Sequence, residues 1–340
     1  MATYVTTPYL PNKKKLFLKI NNIYKSKIFT NYGKNVRELE IKLQNRFKVK
    51  NVIAIANGTL ALQIAIRALE IKGEIITSPF SYAATTSSII WQGSKPIFAD
   101  IDPKSFNLSI DKIKSSISHK TKAILPVHVF GNPNNVEEIK KISTKFNLKV
   151  IYDASHCFDI NYKGKSVFNY GDCSVVSFHA TKIFHTIEGG AIFTNNNKLA
   201  QKIRSIINFG YYNNKIIDVG INGKMNEFEA SVGLLHLNDM KKIHLDRKKI
   251  YNSYLKKLDK RYFFQSRNIY STNNYSYFPI LFESEKKLIK ALKVLKSFNI
   301  YPRRYFYPSL NTVKAFNNIT ICPNSEIVSK KILCLPIFYG

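Results

Sequence analysis

The sequence predicts an α/β protein, with a large domain built on a mainly parallel β-sheet and a smaller α+β domain towards the C-terminus. Short apolar segments alternate with helix-like segments over residues 52–194, which is typical of parallel strands covered by helices on both faces. The chain has 340 residues, of which 45% are hydrophobic, so each domain can have a core of its own. Beyond residue 222 the alternation ends and a long helical segment begins.

The elements of the large domain follow from these apolar runs, taken in chain order. A first helix is predicted at 36–47. Buried strands are then predicted at 52–56, 74–78, 96–99, 123–127, 149–152, 173–178 and 190–194. Helices are predicted between them at 59–69, 82–91 and 136–146, and Gly73 marks the end of the first of these segments. We assign residues 1–222 to this domain, including the basic N-terminal segment.

Residues 223–340 form the predicted small domain. It contains a long helix at 226–258, a strand at 277–282, a helix at 286–298 and a final apolar segment. Ligands of open α/β sheets bind beyond the carboxyl ends of the strands. We therefore expect the functional residues in the turns that follow the strands of the large domain.

The formal net charge of +30 allows two interpretations. It raises the possibility of nucleic-acid binding, because a basic surface attracts polyanions. The lysines are scattered along the whole chain, however, and arginine, the better reader of bases, is scarce. We favour a lysine-rich composition with solvated side chains, and we expect no nucleic-acid partner.

Cellular setting is predicted from cysteines and apolar runs. The 4 cysteines, Cys157, Cys173, Cys322 and Cys334, include no CxxC pair, which indicates free thiols in a reducing, cytoplasmic setting and no metal site. No apolar run reaches the roughly 18 residues of a membrane-spanning helix, and residues 1–15 lack the apolar stretch of a signal peptide. We expect no membrane partner.

Residues suited to chemistry follow three of the predicted strands. Gly58 and Thr59 begin a helix. Its free backbone N–H groups can bind phosphate, or this can be an ordinary N-cap with no ligand. Asp153 follows a strand, where an acid either caps a helix or pairs with the ring nitrogen of a cofactor. Lys182 follows another strand, where partial desolvation would lower its pKa and free the amine for imine formation. A surface loop lysine is the alternative. The pattern alone predicts an α/β enzyme with a phosphate-bearing cofactor.

Longer motifs at these positions identify a family resemblance. They are 57–62 (Asn-Gly-Thr-Leu-Ala-Leu), 78–85 (Ser-Pro-Phe-Ser-Tyr-Ala-Ala-Thr), 95–102 (Lys-Pro-Ile-Phe-Ala-Asp-Ile-Asp), 128–131 (His-Val-Phe-Gly), 153–156 (Asp-Ala-Ser-His), 177–182 (Ser-Phe-His-Ala-Thr-Lys), 188–190 (Glu-Gly-Gly) and 220–227 (Gly-Ile-Asn-Gly-Lys-Met-Asn-Glu). In this order they resemble the DegT/DnrJ/EryC1/StrS family of sugar aminotransferases, over nearly the whole chain. The resemblance implies a type I fold for a pyridoxal 5′-phosphate (PLP)-dependent transferase.

The resemblance implies a role for each residue at the cofactor. Lys182 would bind PLP as a Schiff base and later carry a proton between sugar and cofactor. Asp153 would pair with the pyridinium nitrogen, and His156 would lie near the 3′ oxygen. Tyr82 would stack on the ring, unless it only packs at a helix start. The phosphate would be held by Gly58, Thr59 and Ser177, and by Asn222 of a second subunit, which implies a homodimer with shared active sites.

The substrate-binding residues implied by the resemblance come from several parts of the chain. They are Asn31, Tyr32, His185, Lys224, Arg303 and Arg304. Lys224 stands where many members have arginine, so a bidentate contact is lost there. His185, like His179, either lines the sugar pocket or is a structural histidine. The two arginines lie among aromatic residues, where they either grip a nucleotide diphosphate or pack against the protein. Ile187 departs from the family's usual glycine.

Within the family, the chain looks most like the viosamine-forming branch, in the segments 82–88, 182–186, 220–224 and 304–308. Its members use L-glutamate to aminate dTDP-4-keto-6-deoxyglucose at C4, giving dTDP-4-amino-4,6-dideoxyglucose. Branches that aminate a dTDP-3-keto-6-deoxyhexose share many of the same residues and remain an alternative. A sugar 3-dehydratase of the family would carry histidine in place of Lys182. A non-catalytic regulator or nucleic-acid binder of the same fold is the remaining alternative.

Overall fold

The structure of the chain, a computed structural model, describes residues 2–258, 262–316 and 320–339. Its central element is a seven-stranded sheet. In chain order its strands, β1 to β7, are Asn51–Ile55, Glu74–Thr77, Lys95–Phe98, Thr121–Leu125, Lys149–Asp153, Cys173–Ser177 and Gly190–Thr194. In space the order is β1-β7-β6-β5-β4-β2-β3, and all pairs are parallel except those that β7 forms with β1 and β6. The predicted α/β fold with a mainly parallel sheet is confirmed.

The antiparallel direction of β7 was not part of the prediction. A parallel connection needs a crossover, usually a helix, to return the chain to the same edge of the sheet. Residues 178–189, between β6 and β7, contain no helix. The chain therefore turns back directly, and the connecting loop, which carries Lys182, stays at the carboxyl end of β6.

Helices cover both faces of the sheet. Those in the first part of the chain are Lys13–Ser26, Lys34–Phe47, Gly58–Ala68, Ala83–Trp91, Ile110–Ser115, Val136–Phe146 and Asn197–Ile206. Alternate residues of β1 enter two separate cores: Val52 lies in one and Ile53 in the other. The sheet is thus buried on both faces, which explains its continuously apolar strands. The helix Lys13–Ser26 was not predicted because only Ile23 of it is buried.

The long helix Glu227–Lys257 leads into the C-terminal part of the chain. Asn226 and Glu229 form a capping box at its start, which accounts for its sharp beginning. A three-stranded antiparallel sheet follows, with the strands Phe263–Phe264, Phe278–Leu281 and Ile332–Leu335. The helices Glu285–Ser297 and Pro323–Lys331 accompany it. The predicted α+β character is present here, and the boundary at residue 222 stays a prediction.

Smaller elements complete the described chain. Thr3–Tyr4 pairs in parallel with Ile300–Tyr301, so the N-terminal strand lies on the C-terminal part. The two-stranded pairs Asn161–Tyr162 with Lys165–Ser166 and Tyr211–Tyr212 with Lys215–Ile216 are hairpins. Short 3-10 helices lie at Val129–Gly131, Val167–Asn169, Leu310–Thr312 and Lys314–Phe316. Within the described ranges, the helices all lack the combination of length and apolarity that a membrane crossing requires.

Candidate active site

A cavity of about 550 Å³ opens at the carboxyl ends of β1, β5 and β6, and we call it the Lys182 cavity. Parallel strands bring their carboxyl ends to one edge, so turns that are far apart in sequence meet there. The predicted residues that line it are Gly58, Thr59, Tyr82, Asp153, His156, Ser177, Lys182 and Arg303. The lysine and the aspartate on which the sequence prediction depends therefore share one cavity.

Lys182 presents an amine suited to nucleophilic attack. Its side chain is half-buried in the loop after β6, and no hydrogen-bond or ion-pair partner of its Nζ exists among the residues that the structure describes. Burial lowers the pKa of Lys182 to about 8, while the charge of Asp153 opposes this lowering. A fraction of the amine is therefore neutral near pH 7, which is the form that attacks carbonyl carbon.

Asp153 is held in one orientation by two donors at the end of β5. The hydroxyl of Thr85 donates to its Oδ2 at 2.8 Å. The backbone N–H of Ser155 donates to its Oδ1 at 3.1 Å. Thr85 was not among the predicted site residues, although it lies one helical turn after Tyr82. A residue one turn into a helix that starts at the cavity is the signal that could have found it.

His156 is buried and neutral. The backbone N–H of Phe130 donates to its Nδ1 at 3.2 Å, which leaves the ring proton on Nε2. Burial lowers its pKa well below the usual range, and the nearby Lys182 adds to this effect. Its ring packs against Tyr277, with the centroids 4.4 Å apart, and near Phe306. His156 can therefore act as a fixed Nε2–H donor.

Close backbone packing forms an anion cradle beside the lysine. Asn57 caps the helix Gly58–Ala68 by accepting from the N–H of Leu60 at 2.8 Å. The N–H groups of Gly58 and Thr59 have no acceptor within the first turn of the helix. A Cβ at Gly58 would lie 2.8 Å from the Cβ of Ser177, so only glycine lets this serine approach the helix N-terminus. The two N–H groups and the hydroxyl are the ligands that a phosphate group needs.

The outer wall of the cavity is aromatic and polar. Tyr82 is 62% exposed and makes no side-chain cap bond at its helix start, so its ring is not held there by helix capping. His179 Nδ1 lies 2.9 Å from the hydroxyl of Thr181, and its Nε2 lies 3.5 Å from Oε1 of Glu188. His179 and Glu188 thus both line the cavity. Further unpredicted lining residues include Thr181, Tyr305 and Phe306.

Three predicted substrate residues lie in a second cleft of about 700 Å³, which we call the Arg204 cleft. It is lined by Asn31, Tyr32 and Lys224, together with Arg204 and Asn208. The hydroxyl of Tyr32 donates to Glu40 Oε2 at 2.8 Å, and Lys224 Nζ donates to Asn208 Oδ1 at 3.2 Å. Within this one chain, these residues do not contribute to the Lys182 cavity.

Asn222 lies beside the Arg204 cleft rather than on the Lys182 cavity. It is exposed, and its backbone bridges to Asn208, which lines the cleft. The same segment carries Lys224 two residues later. The four residues Asn31, Tyr32, Asn222 and Lys224 therefore form a group of their own, apart from the predicted cofactor residues.

His185 and Arg304 lie outside both cavities, so this chain does not bring them together with the other predicted substrate residues. His185 is buried, and its Nε2 lies 2.8 Å from the carbonyl oxygen of Tyr9. Arg304 Nη2 donates to Glu285 Oε1 at 2.6 Å and to the carbonyl oxygen of Lys330 at 2.9 Å. Both side chains pack against the protein, which is the alternative that the sequence left open for each.

Comparison with known proteins agrees with this geometry. A model of the DegT/DnrJ/EryC1/StrS aminotransferase family matches residues 12–340. A dTDP-4-amino-4,6-dideoxy-D-glucose transaminase of Shigella dysenteriae is 42% identical over 343 residues, covering 98% of this chain and 93% of that protein. A protein of the same name from Escherichia coli is 37% identical over 348 residues, with the same shares of 98% and 93%.

Solved structures give the same result. DesI, crystallised in the presence of its TDP-sugar product, superposes with a TM-score of 0.94 at 27% sequence identity, covering 100% of this chain and 89% of that one. The family model matches almost the entire chain, and the relatives are similar over nearly their whole length. Both findings support the same assignment. The chain belongs to the DegT/DnrJ/EryC1/StrS aminotransferase family.

Proposed function

We propose that this chain is a PLP-dependent transaminase that moves the amino group of L-glutamate to C4 of dTDP-4-keto-6-deoxyglucose, giving dTDP-4-amino-4,6-dideoxyglucose. The Shigella and Escherichia relatives are named as transaminases of dTDP-4-amino-4,6-dideoxy-D-glucose, which supports this sugar as the product. The observation that carries the proposal is the shared cavity of Lys182 and Asp153, in which the lysine amine is unpartnered among the described residues. The four cysteines are free, which supports a cytoplasmic setting.

The residues of the Lys182 cavity fit PLP. The cradle of Gly58, Thr59 and Ser177 suits its phosphate. Asp153 is an acceptor at the depth of the cavity, and His156 offers a fixed donor on the neighbouring turn. When bound, PLP supplies an electron sink that stabilises a carbanion next to the nitrogen of the transferred amino group.

Each side chain then has a defined task in the proposed reaction. Asp153 would hold a proton at the ring nitrogen of PLP, because its oxygens are fixed by Thr85 and Ser155 and its charge favours that proton. His156 would donate its Nε2–H to the 3′ oxygen of PLP, since its Nδ1 already accepts from Phe130. Lys182, as a neutral amine, would accept the proton from the glutamate carbon that bears the amino group, and in the sugar half-reaction it would deliver a proton to C4.

We further propose a homodimer in which the Arg204 cleft of one chain completes the Lys182 cavity of the other. Asn222 would reach the phosphate, and Asn31, Tyr32 and Lys224 would contact the nucleotide sugar. Their separation from the Lys182 cavity within one chain supports this arrangement, because they need a second copy to reach a substrate there. Exposed apolar side chains on the neighbouring N-terminal segment, including Ile28 and Phe29, offer surface for such a contact.

One experiment tests the reaction. Purified protein is incubated with PLP, L-glutamate and a panel of nucleotide-linked 4-keto and 3-keto sugars, and the products are identified by NMR. We expect a visible absorbance band from bound PLP and a 4-amino product from the dTDP-4-keto sugar. Amination at C3 would favour the 3-aminotransferase alternative. A colourless protein that ignores added PLP would overturn the proposal.

A further inference from the structure

We propose that Arg303 binds the α-carboxylate of the amino donor. This inference rests on the proposed function and deepens it, because it assigns a site for the donor rather than for the sugar. From the sequence, the two neighbouring arginines were predicted either to bind a nucleotide diphosphate or to pack against the protein. The structure separates them, and only Arg303 lines the Lys182 cavity.

The main chain of Arg303 is fixed by the strand Ile332–Leu335. Its N–H donates to the carbonyl oxygen of Cys334 at 3.1 Å, and the N–H of Cys334 donates back at 2.8 Å. The guanidinium lies over the ring of Tyr305, with its carbon 4.9 Å from the ring centroid. These contacts hold the guanidinium of Arg303 at the cavity and leave its positive charge unneutralised.

Arg303 has no carboxylate partner among the residues that the structure describes. The two carboxylates that line the same cavity are Asp153 and Glu188. Asp153 accepts from Thr85, and Glu188 lies beside His179. A guanidinium placed in a cavity without an internal counter-ion is a site for an anionic ligand, and its planar fork matches a carboxylate.

The reaction brings three anionic groups to the cavity, the α- and γ-carboxylates of glutamate and the diphosphate of the nucleotide sugar, and the position of Arg303 favours the first. The γ-carboxylate is separated from the reacting carbon by two methylene groups. The α-carboxylate of the donor is bonded to the carbon that bears the reacting amine, so it must lie next to Lys182. The diphosphate of the nucleotide sugar is attached at C1, across the hexose ring from C4, so it lies further out. Lys182 and Arg303 line the same cavity, and the charge of Arg303 adds, after burial, to the lowering of the pKa of Lys182.

Arg304 provides a matched control because it is the neighbouring arginine and lies outside the Lys182 cavity. Its guanidinium is bound to Glu285 and to the carbonyl oxygen of Lys330, and it stacks on the Tyr307 ring, 3.5 Å from the centroid. Arg304→Gln removes a neighbouring positive charge without removing a group from the cavity. It therefore controls for net charge and for general damage to this segment.

The test measures the two half-reactions separately on the PLP-loaded protein, by the change in cofactor absorbance. For Arg303→Gln we expect kcat/KM for L-glutamate to fall about 10- to 100-fold, the loss expected for one charge-assisted pair. Reaction with the 4-amino sugar nucleotide should change less than about threefold, as should both half-reactions of Arg304→Gln. For 4-aminobutanoate, which lacks the α-carboxylate, Arg303→Gln and wild type should react alike.

The outcomes separate this inference from the proposed function. Unchanged glutamate kinetics in Arg303→Gln, or an equal loss with the amino sugar, would overturn the role of Arg303 and leave the transaminase assignment intact. A wild-type protein that binds PLP but reacts with neither glutamate nor the amino sugar would overturn both. If Arg303→Gln fails to bind PLP, Arg303→Lys replaces it. Calorimetry with the non-reacting dicarboxylate glutarate must then show weaker binding than wild type, and equal affinity would refute the inference.

Discussion

The Lys182 cavity and the Arg204 cleft are both polar, but they differ in how far their groups are already paired. In the Arg204 cleft, Arg204 Nη2 donates to Glu40 Oε2 at 2.7 Å, and the guanidinium lies 4.9 Å from the Tyr32 ring centroid. In the Lys182 cavity, Lys182 and Arg303 have no counter-ion partner among the described residues. A group whose hydrogen bonds are already made within the protein contributes to the shape of a cavity. A group without such partners can bind a ligand favourably, because the ligand supplies the missing interaction.

The two regions also differ in how their positions are fixed. The cofactor residues follow strands of one sheet, so the sheet itself brings them together. Asn31 and Tyr32 have positive φ angles of 62° and 63°, and they precede a helix whose first N–H groups are capped by Glu227 from the long helix. A Cβ at Gly33 would lie 2.5 Å from Cδ of Glu227, so this segment depends on one close contact. Side-chain contacts therefore fix the residues of the Arg204 cleft, whereas the backbone of the sheet fixes the residues of the Lys182 cavity.

The largest effect is expected from removal of the amine. Lys182→Ala should abolish the visible band of bound PLP and lower transamination by roughly 1,000-fold or more, because no other amine of this chain lines the cavity within the described residues. Absorbance spectroscopy and glutamate-dependent turnover measure the two effects. Lys224→Ala, in the other region, is the control and should keep the visible band. A persistent band in Lys182→Ala would assign the cofactor to a different lysine.

The proposed relation between the two regions is tested by subunit complementation. Asn222→Ala should weaken PLP binding about tenfold, since it removes one hydrogen bond to a charged phosphate. Mixing this variant with Lys182→Ala under conditions that exchange subunits should restore activity at PLP concentrations too low to load Asn222→Ala alone, because one site of each mixed dimer then has both groups. Gel filtration should show a dimer. No recovery despite proven exchange would mean that each chain builds its site alone.

A smaller effect is expected from loss of the Thr85 hydroxyl, which orients Asp153 in the Lys182 cavity. Thr85→Val should lower turnover about tenfold, because Asp153 Oδ2 loses a donor while the residue keeps its size. Thr85→Ser keeps the hydroxyl and should stay near wild type. The pH titration of bound-cofactor absorbance distinguishes positioning from general damage, since only a reoriented Asp153 changes the affinity of the ring nitrogen for its proton. An unchanged titration in Thr85→Val would contradict this role.

The smallest effect is a shift in pH dependence. Because burial lowers the pKa of Lys182 to about 8, the rate of PLP uptake by the apoprotein should rise with pH through about 8 and then level off. The charge of Asp153 opposes the lowering, so Asp153→Asn should move the midpoint to lower pH. Stopped-flow absorbance gives the profile. A rate that keeps climbing towards pH 10.5 would indicate an ordinary, solvated lysine.

Local patterns in the sequence were enough to predict much of the fold. Each predicted strand of the large domain lies within a few residues of its observed position, from Asn51–Ile55 to Gly190–Thr194. Continuous apolar runs of this length report burial on both faces, which is a local property of the residues themselves. Helices with few buried residues escaped prediction, as Lys13–Ser26 shows, because their packing depends on a distant partner, the long helix.

Sequence alone was enough to predict that Gly58, Asp153 and Lys182 meet, because parallel strands bring their carboxyl ends to one edge whatever lies between them. The folded chain was needed to show that Thr85 fixes Asp153, and that Arg303 faces the cavity while Arg304 binds Glu285. Side chains of consecutive residues in extended chain point in opposite directions, so identical neighbours can have unrelated surroundings. Which direction faces the ligand is set by residues far away in sequence, here the strand that holds Cys334, and no local pattern contains that information.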